Sequence, residues 1–455
     1  MNTAFFGDLL QSITERGRAL LDRRARRPAG EARAATLTEL CETLLARPGE
    51  ASGVALAAEV LAAYARLKTG ERIAFFESLA HRFGPDHERL QRVLAAYQRD
   101  PGDAHAAELH DAAEARRQEL IRRLNRAPGG TGALVEMREH LLDALERRPE
   151  LAAVDRDFIH LFTSWFNRGF LVLRRIDWST PANILEKIIR YEAVHEIRDW
   201  DDLRSRVDAS YRRCYAFFHP ALVDEPLIFV EVALTTELPD AIAPILERDR
   251  APLDARDATT SVFYSISNCH RGLNGVSFGN FLIKQVVEEI SRELPNLSTF
   301  VTLSPVPGFV DWLQRERAEP ESPAILSEDR LALAALDVPD WPLQSEVAEQ
   351  LKPVLGALAA HYLLLARGSN GRPLDPVARF HLGNGARLER IHPLADPSPK
   401  GLAQSAGIMV NYRYVLADIE KNHEAYEGAG ELVASAAVRR MLRSETRQHS
   451  LVPQT

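Results

Sequence analysis

The residues whose types and spacing could do chemistry concentrate between positions 261 and 309. Gly272, Gly275 and Gly279 belong to a loop between a run of β-branched and aromatic residues and an amphipathic run. Glycines let a backbone approach a ligand closely, and free N–H groups at the start of a helix favour a phosphate. Ser304 follows a second apolar run, where open α/β sheets usually bind ligands. The pattern indicates a phosphate-binding loop and a site serine, or equally two ordinary turns.

Three elements must position these residues. Residues 261–267 are rich in β-branched and aromatic side chains, which favours a strand. Residues 281–293 carry apolar side chains at helical spacing, and Pro295 ends that helix. Residues 297–303 favour a second short strand. The order strand, loop, helix, strand is long enough for a right-handed parallel crossover.

Two familiar catalytic patterns are present only in part. Gly275 to Gly279 matches the G-x-S-x-G pattern of a hydrolase, with Ser277 at its centre. That motif needs the strand to run directly into the serine, whereas several loop residues intervene here. His195 and His423 are each followed by glutamate but lack the second histidine of a zinc protease. No P-loop or dinucleotide fingerprint is found either, so these chemistries are not favoured.

Several runs around the central segment resemble the malonyl-CoA decarboxylase family. They extend over residues 158–414 and keep the same order throughout. The matching runs are WFNRGF at 165–170, PANILE at 181–186, YSIS at 264–267, GLNGV at 272–276, LSPVPGF at 303–309, FHL at 380–382, NGA at 384–386 and NYRY at 411–414. The resemblance implies a catalytic domain of acetyltransferase-like (GNAT) fold.

The resemblance also implies roles for particular residues. Ser304 matches the family's catalytic serine, His381 its catalytic histidine, and Tyr414 a tyrosine of the same pocket. Taken alone, His381 and Tyr414 would be interpreted as packed side chains with satisfied polar atoms. Members of the family tend to carry glutamate at the position of Ser277. The loop that would hold the pyrophosphate of coenzyme A comprises Asn274, Gly275, Val276, Ser277, Phe278, Gly279 and Asn280.

The implied reaction converts malonyl-CoA into acetyl-CoA and carbon dioxide. Decarboxylation leaves an electron pair beside the thioester carbonyl, which accepts it as an enolate, so we expect neither a metal nor an organic cofactor. Our hypothesis assigns Ser304 to polarising the malonyl group, His381 to proton transfer and Tyr414 to orientation or carboxylate contact. A proton-accepting role for the serine remains open. The alternatives are an acyl-CoA-dependent N-acyltransferase and a non-catalytic regulator that binds coenzyme A.

Composition excludes several other classes of protein. The chain has 455 residues, of which 45% are hydrophobic and 26% charged, as in ordinary globular proteins of two domains. The formal net charge of -8 argues against a nucleic-acid binder. No apolar run approaches the ~20 residues that span a membrane. Three scattered cysteines and a first segment without a signal peptide predict a cytoplasmic protein.

The two halves of the chain differ in composition. Residues 1–168 are rich in Ala, Leu, Arg and Glu, with regular Pro/Gly breaks, and predict an all-helical domain of six to eight helices. We expect this domain to serve oligomerisation, as a homodimer or homotetramer. Strand-like runs become frequent in residues 169–455, which we expect to form the α/β catalytic domain. The predicted fold class is therefore α+β, with two domains.

Overall fold

The computed structural model describes residues 37–47, 49–248, 250–276, 278, 282–338 and 340–442. The chain divides into two compact units. The helical unit comprises the described parts of Met1–Val172, Phe218–Leu227 and His270–Phe278. The sheet unit comprises those of Leu173–Phe217, Ile228–Cys269 and Gly279–Thr455. The expected helical region followed by a mixed sheet domain is confirmed, while the boundary at residue 168 stays a prediction.

Amphipathic helices make up most of the described helical unit. Most of them turn a stripe of apolar side chains inward, as Leu56, Val60 and Tyr64 do in the second helix, whereas the helix His87–Arg99 has no buried residue. The helices are α1 (Leu37–Ala46), α2 (Glu50–Ala65), α3 (Thr69–His81), α4 (His87–Arg99), α5 (Asp103–Ala113), α6 (Arg116–Leu124), α7 (Gly130–Leu145) and α8 (Ala152–Trp165). Among the described residues their number agrees with the six to eight expected.

A buried arginine joins the glycine-bearing loop to the rest of the helical unit. Arg138 on α7 pairs with Asp155 on α8 at 2.8 Å and donates to the carbonyl oxygen of Gly272, also at 2.8 Å. The Gly272 N–H donates to Glu139 at 3.1 Å. A Cβ atom at position 272 would lie less than 3.0 Å from backbone atoms of Val135. Gly272 is therefore required for close packing against α7.

The sheet unit is organised around eight strands in the order β1-β2-β3-β4-β5-β8-β6, with β7 also pairing β8. The strands are β1 (Val172–Ile176), β2 (Arg212–Phe218), β3 (Pro226–Thr235), β4 (Thr260–Asn268), β5 (Thr299–Thr302), β6 (Ser304–Pro305), β7 (Arg387–His392) and β8 (Met409–Tyr414). Strands β3 and β4 pair antiparallel, β4 and β5 parallel, and β8 runs antiparallel to β5, β6 and β7.

Helices connect and cover these strands. They are α9 (Ala182–Tyr191), α10 (Trp200–Val207), α11 (Ala243–Leu246), α12 (Leu282–Glu293), α13 (Phe309–Ala318), α14 (Ser327–Leu333), α15 (Ser345–Leu364), α16 (Pro376–Gly383), α17 (Pro399–Ser405), α18 (Ile419–Ala429) and α19 (Ala436–Met441). None of the helices in the described ranges is both long and apolar enough to cross a membrane.

The parallel pairing expected of the two strands is confirmed. Strand β4 leads through α12 to β5, and the two strands pair in parallel from Thr260↔Thr299 to Phe263↔Thr302. Leu297 and Leu303 are buried but lie outside the strand, so β5 is shorter than the expected residues 297–303. The apolar composition of residues 297–303 therefore predicted a longer strand than the hydrogen-bonded one.

Candidate functional site

Ser304 stands at the junction between two short strands. It begins β6, from which Leu303 separates the end of β5, and pairs with Val410 of β8. Because strand side chains alternate, Ser304 and Thr302 point to the same face of the sheet. Ser304 Oγ donates to Thr302 Oγ1 at 2.9 Å and lies 3.3 Å from His381 Nε2. The serine hydroxyl is thus held between a threonine and a histidine.

His381 reaches this face from the last turn of α16. The helix begins at Pro376 and is capped by Asp375, whose carboxylate accepts from the N–H of Ala378 at 2.7 Å. The imidazole is 2% exposed and stacks on Tyr412, with 4.6 Å between the ring centroids. Its Nδ1 atom lies 2.8 Å from the Tyr414 hydroxyl. Both ring nitrogens therefore have a hydrogen-bond partner.

Strand β8 supplies the two tyrosines. Tyr412 and Tyr414 are two residues apart, so they share one face of the sheet and present both rings to the imidazole. Tyr414 also packs edge-on against Phe263 of β4, at 6.4 Å between ring centroids. Neighbouring strands on both sides of β8 hold these positions rigidly. The site is therefore built on strands and one short helix.

Burial keeps the imidazole and the phenol uncharged. It lowers the pKa of His381 to about 3, so the ring is neutral near pH 7. It raises the pKa of the Tyr414 hydroxyl well above its ordinary value. The Ser304–His381–Tyr414 line therefore contains a neutral imidazole that can accept one further proton if a negative charge comes close.

The hydrogen-bond ladder of β8 is interrupted beside this line. Its pairs run 300↔414 and 301↔413 against β5, then resume at 304↔410 and 305↔409 against β6. In the gap, the N–H of Tyr412 donates to the side-chain oxygen of Thr302 at 3.1 Å. Asn411 Nδ2 donates to the Thr302 carbonyl at 2.8 Å. Side chains thus replace the missing backbone hydrogen bonds.

The expected coenzyme A loop is described only in part. Ser277, Gly279 and Asn280 lie outside the described residues. Among the others, Asn274, Gly275, Val276 and Phe278, the glycine has φ +77°, a left-handed conformation that favours glycine. A turn explains Gly275 without a ligand, so the phosphate-binding role stays a prediction.

The histidine of each incomplete zinc motif lies against another group of the protein. Burial lowers the pKa of His195 to about 4, and its ring lies 6.3 Å from that of Tyr264. His423 Nδ1 lies 2.7 Å from the carbonyl oxygen of Gly383. Over the described ranges, no group of three or more His, Cys, Asp or Glu side chains could hold a metal ion. Neither histidine therefore belongs to a metal cluster there.

Two family profiles match this chain. That of the malonyl-CoA decarboxylase C-terminal domain matches residues 169–452, more than half of the chain, and that of the N-terminal domain matches residues 83–166. The chain belongs to the malonyl-CoA decarboxylase family. The resemblance inferred from the motifs is thereby confirmed.

Relatives within the malonyl-CoA decarboxylase family cover most of the chain. The mitochondrial malonyl-CoA decarboxylase of Anser anser anser is 37% identical over 84% of this chain and 82% of its own. A crystal structure of malonyl-CoA decarboxylase from Rhodopseudomonas palustris is 62% identical with a TM-score of 0.87, covering 89% of this chain and 98% of that one. A crystal structure of malonyl-CoA decarboxylase from Agrobacterium vitis is 55% identical with a TM-score of 0.85, covering 90% of this chain and 100% of that one.

Three residues beside the family's expected trio were missed from the sequence. Thr302 contacts Ser304, Tyr412 stacks on His381, and Asp375 caps the helix that carries His381. The alternation of strand side chains could have indicated Thr302 and Tyr412, since each lies two residues before a predicted site residue. Asp375 before Pro376 is a typical start of a helix.

Proposed function

We propose that this protein decarboxylates malonyl-CoA to acetyl-CoA and carbon dioxide, with Ser304, His381 and Tyr414 as the reacting site. The observation that carries the proposal is the buried hydrogen-bonded line of these three side chains in a member of this family. The residues lie 77 and 33 positions apart in the sequence, yet they converge on one face of the sheet.

The reaction needs charge control at the carbon that loses the carboxylate. The C–C bond breaks, carbon dioxide leaves, and the electron pair passes to the thioester oxygen as an enolate. With substrate bound, the Ser304 hydroxyl is suited to turn from Thr302 and donate to the malonyl group, and His381 to deliver a proton to the carbon. A proton then forms the new C–H bond of acetyl-CoA, which completes the balance.

The neutral state of His381 fits this sequence of charges. A malonyl carboxylate beside the ring favours the imidazolium, because an opposite charge raises the pKa that burial alone lowers. When carbon dioxide leaves, the negative charge moves to the enolate. Transfer of the proton from the imidazolium to carbon neutralises both charges. Tyr414 orients the ring through its bond to Nδ1.

The loop of residues 274–280 is proposed to bind the pyrophosphate of coenzyme A through its backbone. Substitution of Gly275 does not test this proposal cleanly, since its φ of +77° strains any other residue. A crystal structure with a non-reacting coenzyme A thioether tests it directly. Pyrophosphate density away from this loop would contradict the assignment.

Incubation with malonyl-CoA tests the proposed activity. Carbon dioxide and acetyl-CoA in equal amounts are the expected products, at a rate that falls in Ser304→Ala. Free thiol that appears only with an added amine would instead indicate an N-acyltransferase. Tight binding of malonyl-CoA without turnover would indicate a regulator.

The compartment and assembly of the protein are also proposals. We place it in the cytoplasm as a homodimer or homotetramer, and its described cysteines are buried and form no disulfide with one another, as a reducing compartment favours. The animal relative is named as mitochondrial. Cell fractionation tests the compartment, and light scattering of the full chain tests the oligomeric state.

A further inference from the structure

Thr302 lies at the end of β5 with none of its surface exposed. Its side-chain oxygen accepts two hydrogen bonds, from the hydroxyl of Ser304 at 2.9 Å and from the N–H of Tyr412 at 3.1 Å. The Asn411 amide holds the Thr302 carbonyl at 2.8 Å. The oxygen is therefore fixed in place by the interrupted ladder.

We infer that Thr302 is a positioning residue that decides which nitrogen of His381 carries the proton. A serine hydroxyl has a single proton, and Ser304 donates it to Thr302. Ser304 Oγ must then accept from His381 Nε2, 3.3 Å away. A neutral imidazole has only one N–H, so Nδ1 accepts from the Tyr414 hydroxyl at 2.8 Å.

Removing the Thr302 side-chain oxygen reverses the direction of the hydrogen bonds from Ser304 through His381 to Tyr414. Among the described residues, the hydrogen-bond partners of Ser304 Oγ are Thr302 and His381. Without Thr302 Oγ1, the serine proton turns to His381 Nε2. The ring proton then moves to Nδ1 and is donated to Tyr414. One oxygen thus selects between two tautomers of a neutral ring.

The selected tautomer suits an anionic substrate, and this step rests on the proposed function. With Nε2 protonated, the ring presents a donor toward Ser304, where the malonyl group is proposed to bind. The opposite tautomer presents a lone pair, so Nε2 can donate to a carboxylate or an enolate only after it has itself taken up the further proton. Losing one aligned donor to a developing negative charge costs roughly 10²–10³-fold in kcat. We expect a loss of about that size when the tautomer is reversed.

The test compares Thr302→Val, which keeps the side-chain shape, with Thr302→Ser, which keeps the hydroxyl. Nitrogen NMR of ¹⁵N-histidine-labelled protein reads the tautomer, with the His381 signals identified by their loss in His381→Gln. The wild type and Thr302→Ser should show a protonated Nε2. Thr302→Val should show a protonated Nδ1, with a fall in kcat that Thr302→Ser does not share.

Thr235→Val is the matched control. Thr235 is a buried threonine of the same sheet, and its hydroxyl donates to the carbonyl of Glu237 at 2.7 Å. Its loss removes a comparable hydrogen bond but should leave the tautomer and kcat unchanged. A protonated Nε2 in folded Thr302→Val overturns the inference.

Two further outcomes separate the inference from the proposed activity. If Thr302→Val does not fold, Thr302→Cys replaces the oxygen by a weakly accepting sulfur and should raise the fraction of protonated Nδ1. An unchanged tautomer in that variant also overturns the inference. A wild type that does not decarboxylate malonyl-CoA, but whose tautomer reverses in Thr302→Val, refutes the activity and leaves the inference standing.

Discussion

At the scale of single residues, the state of His381 has measurable consequences. The ordinary pKa of 6.5 is lowered to about 3 by burial, so the ring of the free protein is neutral near pH 7. The proton that acetyl-CoA gains must then be taken up when substrate binds or delivered afterwards by solvent. These two routes differ in when the protein binds a proton.

We expect uptake on binding. At neutral pH, 2-carboxyethyl-CoA, a thioether that cannot decarboxylate, should bind with uptake of a proton, because its carboxylate raises the pKa of His381. Uptake should increase as the pH falls from about 8 to 6, through the raised pKa. Calorimetry in buffers of different ionisation heat measures it. Ethyl-CoA, which lacks the carboxylate, should bind without uptake, and equal uptake in His381→Ala would contradict the assignment.

Replacement of His381 itself should affect chemistry more than binding. General acid–base groups contribute ~10²–10⁴-fold, so His381→Ala should lower kcat by roughly that factor while ethyl-CoA binding stays nearly unchanged. In deuterium oxide the wild type should place one deuterium on the acetyl methyl group. A folded His381→Ala protein with the wild-type kcat would show that the ring is only packed, and that the proton comes from elsewhere.

At the scale of elements, α16 is a short helix whose start and end both matter. Asp375 caps its first turn, and His381 lies in its last. Asp375→Ala should cost about 1 kcal/mol of unfolding free energy, the usual value of a cap, and should lower kcat by loosening the helix. Asp375→Asn keeps the accepting oxygen and should retain most of the unfolding free energy and most of kcat. Equal losses in the two variants would indicate that charge, not capping, is the role of Asp375.

The Asp375 carboxyl also predicts a pH dependence of the stability of the protein. Burial raises the pKa of Asp375 from 3.8 to about 6, so the folded protein holds this proton more tightly than the unfolded chain does. The resulting stabilisation is complete below pH 3.8 and is lost as the pH rises through about 6. The unfolding free energies of the wild type and Asp375→Asn, measured with urea, should therefore differ by an amount that changes with pH over this window and is constant above it.

The elements also show what the sequence could and could not predict. The unit of β4, α12 and β5 was predictable, because strand composition and helical spacing are local signals. The position of β8 between β5 and β7 was not predictable from local signals. Its pairing with β5 joins segments that lie more than 100 positions apart. Alternation along the strand could have placed Thr302 on the same face as Ser304, but its contact with the N–H of Tyr412 could not be predicted, since it arises where the ladder to β8 is interrupted. Ser304 was indicated by its position after the second apolar run and by the family resemblance, whereas His381 and Tyr414 were indicated by the family resemblance alone.

At the scale of the whole molecule, one glycine links stretches far apart in the sequence. Gly272→Ala should lower the unfolding free energy, because its Cβ would collide with the backbone of Val135 on α7. We expect a loss of about 1–3 kcal/mol, read as a lower melting temperature. Gly53→Ala, inside α2 with open space around it, is the control and should stabilise by about 0.4–1 kcal/mol. A Gly272→Ala protein as stable as the wild type would place Val135 further from the loop.

The divided helical unit also has a consequence for how the protein is made. Its last stretch ends at Phe278, and Arg138 cannot reach the carbonyl of Gly272 until that residue has left the ribosome. By then strands β1 to β4 have already emerged. Translation proceeds from the N-terminus. The first helices are therefore synthesised before Arg138 can form its hydrogen bond to the Gly272 carbonyl. Completion of the first unit is thus coupled to synthesis of the second.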